Sequence, residues 1–224
     1  MAEKNNEKII KIPEKSEKLA EFVGIVLGDG CISKYIKKNH YHYYAVRIVG
    51  DSRHDRDYFL NFVKPLIKEL FGIDASVYYR KEANTMDLHA RSKQLIYFLL
   101  SIGMKDGNKI KNQVGFPKWI WEKEEYVAAC LRGLIDTDGC ICELLPHWPG
   151  LWQLNFDNRS LPLLQDVRRA FLKLGFHPSK IHGSKTPYGN RVDITRKADI
   201  HKFYKEICFH NSRHLKRYEP VTAP

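Results

Sequence analysis

Apolar residues recur at helical spacing near the beginning of the chain. In SEKLAEFVGIVLG, from Ser16 to Gly28, they fall at positions 19, 22, 23, 26 and 27. This spacing places them on one face of a helix, and Ser16 is of a type that often begins helices. A second stripe on the same segment carries Ala20, Gly24 and Gly28 at intervals of four residues. The pattern therefore predicts a helix with one face that is almost free of side chains.

The same stripe returns in the second half of the chain, in VAACLRGLIDTDGCIC. Gly133 lies 109 positions after Gly24, and Asp138 lies 109 positions after Asp29. Both copies then continue as Asp-Gly-Cys-Ile. A chance match of this quality is improbable, so we interpret the chain as a tandem duplication.

Each copy is followed by the same order of predicted elements. A strand-like stretch (YYAVRIVGDS, then LWQLNFDNRS) precedes an amphipathic helical stretch, an alternating strand (TMDLHAR, then RVDITRK) and a last helix, around 94–102 and 199–208. Pro65 lies inside the first of the middle helices and should kink it. The sequence predicts an α+β fold, a pseudo-twofold repeat of α-β-β-α-β-β-α with antiparallel sheets and the two motif helices at the inter-domain interface.

Domain boundaries follow from this repeat. We expect a basic N-terminal extension over 1–15, a first domain over 16–104, a Lys-rich linker over 105–123 and a second domain over 124–224. Each domain has about 100 residues, a common size for a single domain.

The charge of the chain suits a polyanionic partner. Its 224 residues include 37 Lys and Arg against 26 Asp and Glu, a formal net charge of +11. No apolar run is long enough to span a bilayer, and the first residues lack a secretory signal. The five cysteines contain no C-x-x-C pair, which argues against a disulfide framework or a zinc site. We expect no membrane association and an intracellular location, cytoplasmic or nucleoid-associated, with an organelle as a further possibility.

The two repeated aspartates suggest a metal site. Helices with bare faces can pack backbone against backbone, which would bring Asp29 and Asp138 side by side at two helix C-termini. Helix C-termini carry partial negative charge, so two carboxylates there favour a divalent cation, and oxygen ligands suit Mg²⁺. The carbonyl groups of Gly28 and Thr137 are further candidate ligands. A simple Asp-Gly turn explains one copy better than it explains two matched copies. A basic chain with such a pair indicates a metal-dependent nuclease.

At this point the residues resemble a known family. FVGIVLGDG and LRGLIDTDG resemble the eponymous motif of the LAGLIDADG homing endonucleases, the second copy closely and the first in a degenerate form. The resemblance covers nearly the whole chain, and two motifs in one chain resemble the monomeric branch. No protein-splicing segment is visible, so the intron-encoded type is expected.

The resemblance has specific implications for metal binding and DNA cleavage. It implies that Asp29 and Asp138 bind roughly two or three divalent ions, Mg²⁺ in the first place. Asp136, which the first copy replaces with Leu27, is then not a direct ligand. The antiparallel sheets would form saddles in the DNA major groove. The enzyme would cut both strands of a long duplex site across the minor groove and leave 3′ overhangs.

The resemblance also implies a catalytic basic residue after the last helix of each half. Lys109 matches best in the first half, with Lys105 second, while Lys216 and Arg213 compete in the second half. Polar residues at the ends of the middle strands would position water. The candidates for that role are Asp51 or Ser52 in the first half and Asn155 or Asn158 in the second half.

The alternation of the strands leaves one polar face on each sheet. Polar faces often meet only water, but in a nuclease of this kind they are expected to contact DNA, with Arg recognising guanine and Asn or Gln recognising adenine. The predicted DNA-binding residues are Ser33, Tyr35, Lys37, Arg47, Arg80, Asp87, His89 and Arg91 in the first half and Gln153, Asn155, Arg191, Asp193 and Thr195 in the second half.

Three functions remain open on these observations. The leading hypothesis is a monomeric, Mg²⁺-dependent, site-specific double-strand DNA endonuclease. The second is a maturase that binds intron RNA on the same scaffold, and gel shifts with RNA and duplex DNA would separate the two. The third is a regulatory DNA-binding protein with a vestigial nuclease fold, which would bind DNA in EDTA and never cut it when Mg²⁺ is added.

Overall fold

A computed structural model describes residues 9–36, 42–80, 83–144, 147–183 and 189–218 of the chain. The elements of the first half are α1 (Glu17–Leu27), β1 (Gly30–Ile36), β2 (His42–Asp51), α2 (Arg56–Tyr58), a π-helical turn (Phe59–Val63), α3 (Lys64–Phe71), β3 (Ser76–Arg80), β4 (Thr85–Arg91) and α4 (Lys93–Ser101). A 3₁₀-helical turn (Lys118–Glu122) precedes the second half. That half consists of α5 (Glu124–Asp138), β5 (Gly139–Leu144), β6 (Trp148–Asn158), α6 (Leu161–Lys173), β7 (His182–Gly183), β8 (Asn190–Ile194), α7 (Lys197–Glu206) and α8 (Ser212–Tyr218).

The two halves share one sheet topology. The four strands of the first sheet lie in the order β1-β2-β4-β3, and those of the second lie in the equivalent order β5-β6-β8-β7. All the neighbouring pairs are antiparallel. The predicted α+β fold, with α-β-β-α-β-β-α in each half, is therefore confirmed. Helix α8 is an additional element that the sequence pattern did not predict.

The predicted irregularity at Pro65 takes the form of a π-helical turn. Pro65 lies in the first turn of α3, directly after Phe59–Val63. Proline has no backbone N–H to donate to the preceding turn, so the α-helical hydrogen-bond pattern is interrupted on its N-terminal side.

The predicted bare faces of the motif helices meet. A Cβ atom added to Gly24 would lie 3.1 Å from the amide nitrogen of Leu134 and closer still to a carbonyl oxygen of α5. A Cβ atom added to Gly133 would lie 2.9 Å from the amide nitrogen of Ile25. Any side chain at these two glycines would therefore force α1 and α5 apart. The interface places the C-terminal ends of both helices, and the aspartates there, next to each other.

The core of each half lies between its helices and one face of its sheet. Met86, Leu88 and Ala90 of β4 are at most 1% exposed, and Val192 and Ile194 of β8 likewise. These are the residues that the alternation placed on the inner face. Among the residues that the structure describes, no helix is both long and apolar enough to span a membrane.

Two expectations fall on parts of the chain that are not described. Lys37 lies outside the described residues, as does most of the predicted N-terminal extension, of which only 9–15 are included.

Candidate active site

Two carboxylates meet at the ends of the paired helices. Asp29 follows the last turn of α1, and Asp138 is the last residue of α5; both side chains are partly buried. Burial, and then the nearby carboxylates of Asp138 and Asp55, raise the pKa of Asp29 to about 8. Burial also raises the pKa of Asp138. Because two acids in one poorly solvated place disfavour the ionised form, this pair attracts positive charge.

The end of α1 is covered by Lys109. Its Nζ donates to the carbonyl oxygen of Leu27 at 2.9 Å and to that of Gly28. Burial lowers the pKa of Lys109, while the neighbouring Asp138 and Asp29 raise it. Lys105, the other candidate in this half, donates instead to the carbonyl oxygen of Asn112 at 2.8 Å. The structure therefore brings Lys109 to the motif.

The end of α5 is covered by Arg213. Its Nη2 donates to the carbonyl oxygen of Thr137 at 3.3 Å, and its Nη1 lies 3.1 Å from a carboxylate oxygen of Asp55. Lys216 is exposed on α8, where it lines a surface hollow together with Arg53 and other basic residues. The residue that the structure brings to the second motif is thus Arg213, which was the competing candidate, and not Lys216.

A shift in spacing explains why the repeat did not decide between Lys216 and Arg213. Lys109 lies 80 positions after Asp29, whereas Arg213 lies 75 positions after Asp138. The offset of 109 that matches the motifs would place the equivalent of Lys109 at Tyr218, the last residue of α8. Only the position of α8 against α5 identifies the equivalent residue.

The ends of the two middle strands differ. Asn158, at the end of β6, donates from Nδ2 to a carboxylate oxygen of Asp138 at 3.3 Å. Asp51, at the end of β2, is instead paired with Arg53 at 2.7 Å. Asn155, the alternative to Asn158, is buried on the sheet, with its Nδ2 3.9 Å from the sulfur of Cys142. Of these three residues, only Asn158 touches a motif carboxylate.

The donor atoms around the pair fit a hard divalent cation. The carboxylates of Asp29 and Asp138 supply negative oxygens, and the carbonyl groups of Gly28 and Thr137 already attract the cationic side chains of the two basic residues. A carbonyl oxygen has a second lone pair, so a hydrogen bond does not exhaust its capacity. This set contains only oxygen atoms, as Mg²⁺ prefers.

Asp136 is directed away from this pair. Its carboxylate oxygens accept hydrogen bonds from the backbone N–H groups of His210 at 2.9 Å and Asn211 at 3.2 Å. Burial raises its pKa to about 7, although these two amides lower it. Asp136 thus anchors the segment that leads to Arg213.

A second acidic group lies close to Asp136. The side-chain ligand atoms of Glu21, Asp136 and His210 all lie within 4.8 Å of one another. Glu21 is 3% exposed and forms an ion pair with Arg132 at 2.7 Å. The guanidinium of Arg132 already supplies a positive charge to this cluster. Neither the repeat nor the motif predicted the cluster.

Comparison with known proteins supplies the family. Residues 125–208 match the family described as LAGLIDADG-like domain. The second half of this chain is a LAGLIDADG-like domain. Over most of its length the chain shares the fold of LAGLIDADG homing endonucleases of known structure.

Three solved structures illustrate this fold. I-DmoI in complex with DNA and Mn is 22% identical, with a TM-score of 0.62, over 86% of this chain and 96% of that chain. The meganuclease I-SmaMI bound to uncleavable DNA is 12% identical, with a TM-score of 0.61, over 93% of this chain and 89% of that chain. The I-LtrWI LAGLIDADG homing endonuclease bound to target DNA is 13% identical, with a TM-score of 0.61, over 92% of this chain and 88% of that chain.

One curated relative is much longer than this chain. The replication factor C small subunit of Methanocaldococcus jannaschii is 24% identical over 206 residues, which are 90% of this chain. The chain spans about a tenth of the length of that relative. That the chain is intron-encoded stays a prediction.

The polar faces of the two sheets carry most of the predicted DNA-binding residues. Arg80 is 56% exposed and Tyr35 is 48% exposed, and Thr195 is also exposed. The remaining accessible candidates are half-buried, namely Ser33, Arg47, His89, Arg91, Gln153 and Arg191.

Three of the predicted contact residues are buried, which corrects the expectation that they are exposed. Asp87 is 2% exposed because Arg47 and Arg80 fold over it, with nitrogen–oxygen distances of 3.1 Å and 2.8 Å. Asp193 is 8% exposed and lies 2.6 Å from the imidazole of His182. Asn155 is 6% exposed. On this face the short polar side chains orient longer ones.

Proposed function

We propose that this chain is a site-specific endonuclease that hydrolyses both strands of duplex DNA with the help of divalent cations, Mg²⁺ in the first place. It acts as a monomer on a long asymmetric site and leaves 3′ overhangs. The observation that carries the proposal is the carboxylate pair, Asp29 and Asp138, at the adjoining ends of α1 and α5.

The charge of the molecule and its sheet faces support DNA as the partner. The chain has a net charge of +11, and the polar face of the first sheet presents Arg47 and Arg80 held by the buried Asp87. A guanidinium that is fixed in this way suits bidentate recognition of a guanine edge. The similar structures I-DmoI, I-SmaMI and I-LtrWI are complexes with DNA, one of them with Mn.

The basic residues complete the proposed site. Lys109 and Arg213 place one positive charge at each helix end, where the negative charge of a phosphoryl group would develop during displacement. A divalent cation, when bound, neutralises phosphate oxygens and lowers the pKa of water. Asn158 orients the Asp138 carboxylate by its hydrogen bond.

Cleavage of a randomised duplex library tests the proposal. The protein is incubated with the library and Mg²⁺, and the cut ends are sequenced; we expect one enriched site with 3′ overhangs. The same incubation in EDTA gives DNA that is bound and not cut. If no cleaved species forms at any Mg²⁺ or Mn²⁺ concentration while duplex DNA is bound in a gel shift, the vestigial DNA-binding protein replaces the endonuclease.

The maturase alternative receives no support from the named DNA complexes, and the replication role in the name of the longer relative is not proposed for this chain. A gel shift with intron RNA and duplex DNA in parallel separates RNA binding from DNA binding. Tighter binding of the RNA than of the selected duplex would favour the maturase.

A further inference from the structure

The residues that precede α2 and α6 have an unusual role. Asp55 and Ser160 occupy the N-cap positions of these topologically equivalent helices, and both are of types that normally bond to the first turn. Neither side chain makes a capping hydrogen bond to its own helix. Asp55 is 4% exposed and Ser160 is 0% exposed, so both are directed into the protein. Their contacts show what these buried groups do instead.

The carboxylate of Asp55 binds the far end of the chain. Its Oδ1 accepts a hydrogen bond from the Nδ2 of Asn211 at 3.0 Å and lies 3.1 Å from the Nη1 of Arg213. Its Oδ2 accepts the backbone N–H of Asp51 at 3.0 Å. The carboxylate thus joins the end of β2, in the first half, to the segment that follows α7, in the second half.

The equivalent position in the second half makes the reverse connection. The hydroxyl group of Ser160 donates to the carbonyl oxygen of Val114 at 2.7 Å. Val114 follows Lys109 in the segment after α4, and the backbone N–H of Leu161 donates to the side chain of Gln113 in the same segment at 3.2 Å. Each segment that carries a basic residue is therefore held by the N-cap region of the opposite half.

The two connections differ in strength. Ser160 offers a neutral hydroxyl group to a backbone carbonyl and leaves Lys109 itself untouched. Asp55 offers a buried negative charge directly to the guanidinium of Arg213, whose other nitrogen donates to the carbonyl oxygen of Thr137. Charge-assisted hydrogen bonds are stronger and more directional than neutral ones. One end of the guanidinium is fixed by the first half and the other by the motif helix of the second half.

We propose that Asp55 is a positioning residue for Arg213. Through this contact the first half of the chain sets the place of the guanidinium at the motif of the second half, so the two halves are coupled. The inference rests on the proposed function for its activity test, and the coupling itself can be measured without DNA.

The first experiment is a double-mutant cycle in urea unfolding. Asp55→Asn, Arg213→Gln and the double variant are compared with the wild type. We expect the shift in urea midpoint of the double variant to be smaller than the sum of the two single shifts, because both changes remove the ion pair between Asp55 and Arg213. Additive shifts in the midpoint would overturn the inference, whether or not the protein cuts DNA. Asp55→Ser, which copies the equivalent residue Ser160, replaces Asp55→Asn if that variant does not fold.

The second experiment follows nicking of each strand of the selected duplex, end-labelled on one strand at a time. We expect Asp55→Asn to slow cleavage by about 10- to 100-fold, with the same strand preference as Arg213→Gln. The double variant should be no slower than Arg213→Gln alone. Affinity for the uncut duplex in EDTA should change by less than about twofold, because the phosphate-binding surface is intact. A double variant that is slower by the product of both effects would contradict a role through Arg213.

Asp199→Asn is the matched control. Asp199 is also 4% exposed and accepts a hydrogen bond from the backbone N–H of His177 at 2.9 Å, on α7 and away from the motif helices. It should lower the urea midpoint without changing the strand preference. If the wild type does not cut any duplex, the proposed function fails, while the urea cycle still decides the role of Asp55.

Discussion

The two ends of the motif helices have the same carboxylates and different cations. At the end of α1, Lys109 donates from one nitrogen to two carbonyl oxygens. At the end of α5, Arg213 bridges a carbonyl oxygen and the carboxylate of Asp55 with two nitrogens. An ammonium group is a compact point charge, whereas a guanidinium group is a planar fork that can hold two partners at once. The repeat thus keeps the acids and the helix contact but builds the positive charge in two ways.

The helix interface and the cationic residues at the helix ends differ in how much change they tolerate between the two halves. Gly24 and Gly133 meet backbone atoms, so both copies of the interface admit no side chain. A cation at a helix end needs only a positive group at hydrogen-bond distance, which different residues on different segments can supply.

The carboxylates of Asp29 and Asp138 should be equally necessary for DNA cleavage. Asp29→Asn and Asp138→Asn each remove a negative oxygen from the pair, and we expect each to lower double-strand cleavage by about 10³-fold or more. The measurement is the rate of linear product from a plasmid that carries the selected site, with DNA affinity measured in parallel. Substantial linear product from one variant would show that the acids have diverged as the cations have.

Substitution of either interface glycine, Gly24 or Gly133, should lower stability by a similar amount. Gly24→Ala and Gly133→Ala each push a methyl group against the opposite helix backbone, and we expect each to lower the free energy of unfolding by about 3 kcal/mol. Urea unfolding measures this change. Gly183→Ala is the control, since a Cβ atom there has no atom of a described residue within 4 Å and should alter stability by less than about 0.5 kcal/mol. A tolerated alanine at either motif glycine would show that the helices can separate without loss.

A further difference between the two motif helices should appear in the pH dependence of stability. Glu21 on α1 pairs with Arg132, while the residue 109 positions after Glu21 is Cys130. Burial raises the pKa of Glu21, but hydrogen bonds from His210 and Arg132 outweigh it, so the pKa lies below its ordinary value. A depressed acid pKa contributes stability that is present above the pKa of the unfolded chain and lost as the pH falls through the folded pKa.

The variant Glu21→Gln should therefore lower the free energy of unfolding by about 2 kcal/mol at neutral pH and flatten its decline in acid. Urea midpoints between about pH 6 and about pH 3 measure both changes. A wild type and a Glu21→Gln variant with parallel pH curves would rule out this source of acid sensitivity.

The smallest effect is expected at Lys216. This lysine is exposed on α8 and lines a basic hollow with Arg53 and Arg217. We expect Lys216→Gln to reduce the slope of log affinity against log salt by about 1 while cleavage at saturating DNA changes less than about twofold. A large loss of rate with no change in the salt slope would return Lys216 to the cleavage centre in place of Arg213.

Much of the fold and the centre of the site follow from local sequence. The stripe of Gly24 and Gly28 predicts a close helix contact because a period near four residues places them on one face. Its repetition, with Asp29 and Asp138 at the same offset, predicts that the acids meet. The inner faces of the strands follow from alternation in the same way.

What could not be predicted depends on contacts between distant segments. Arg213 reaches the end of α5 through α8, a seven-residue helix in a segment whose spacing from the motif differs between the halves. Asp87 is buried because Arg47, on another strand, lies across it. No periodicity in one segment carries that information, since it arises from side chains that cross between strands.

The exchange of contacts at Asp55 and Ser160 has a consequence for protein engineering. A chimera that joins the first half of this chain to the second half of a relative would keep Asp55 and could lose its guanidinium partner, leaving a buried carboxylate without a counter-ion. A chimera joined only at the linker therefore separates Asp55 from the residue that it binds. The module to transplant with a second half includes the β2–α2 corner around Asp55, and recombinants designed with that corner should keep the Arg213 guanidinium at the end of α5.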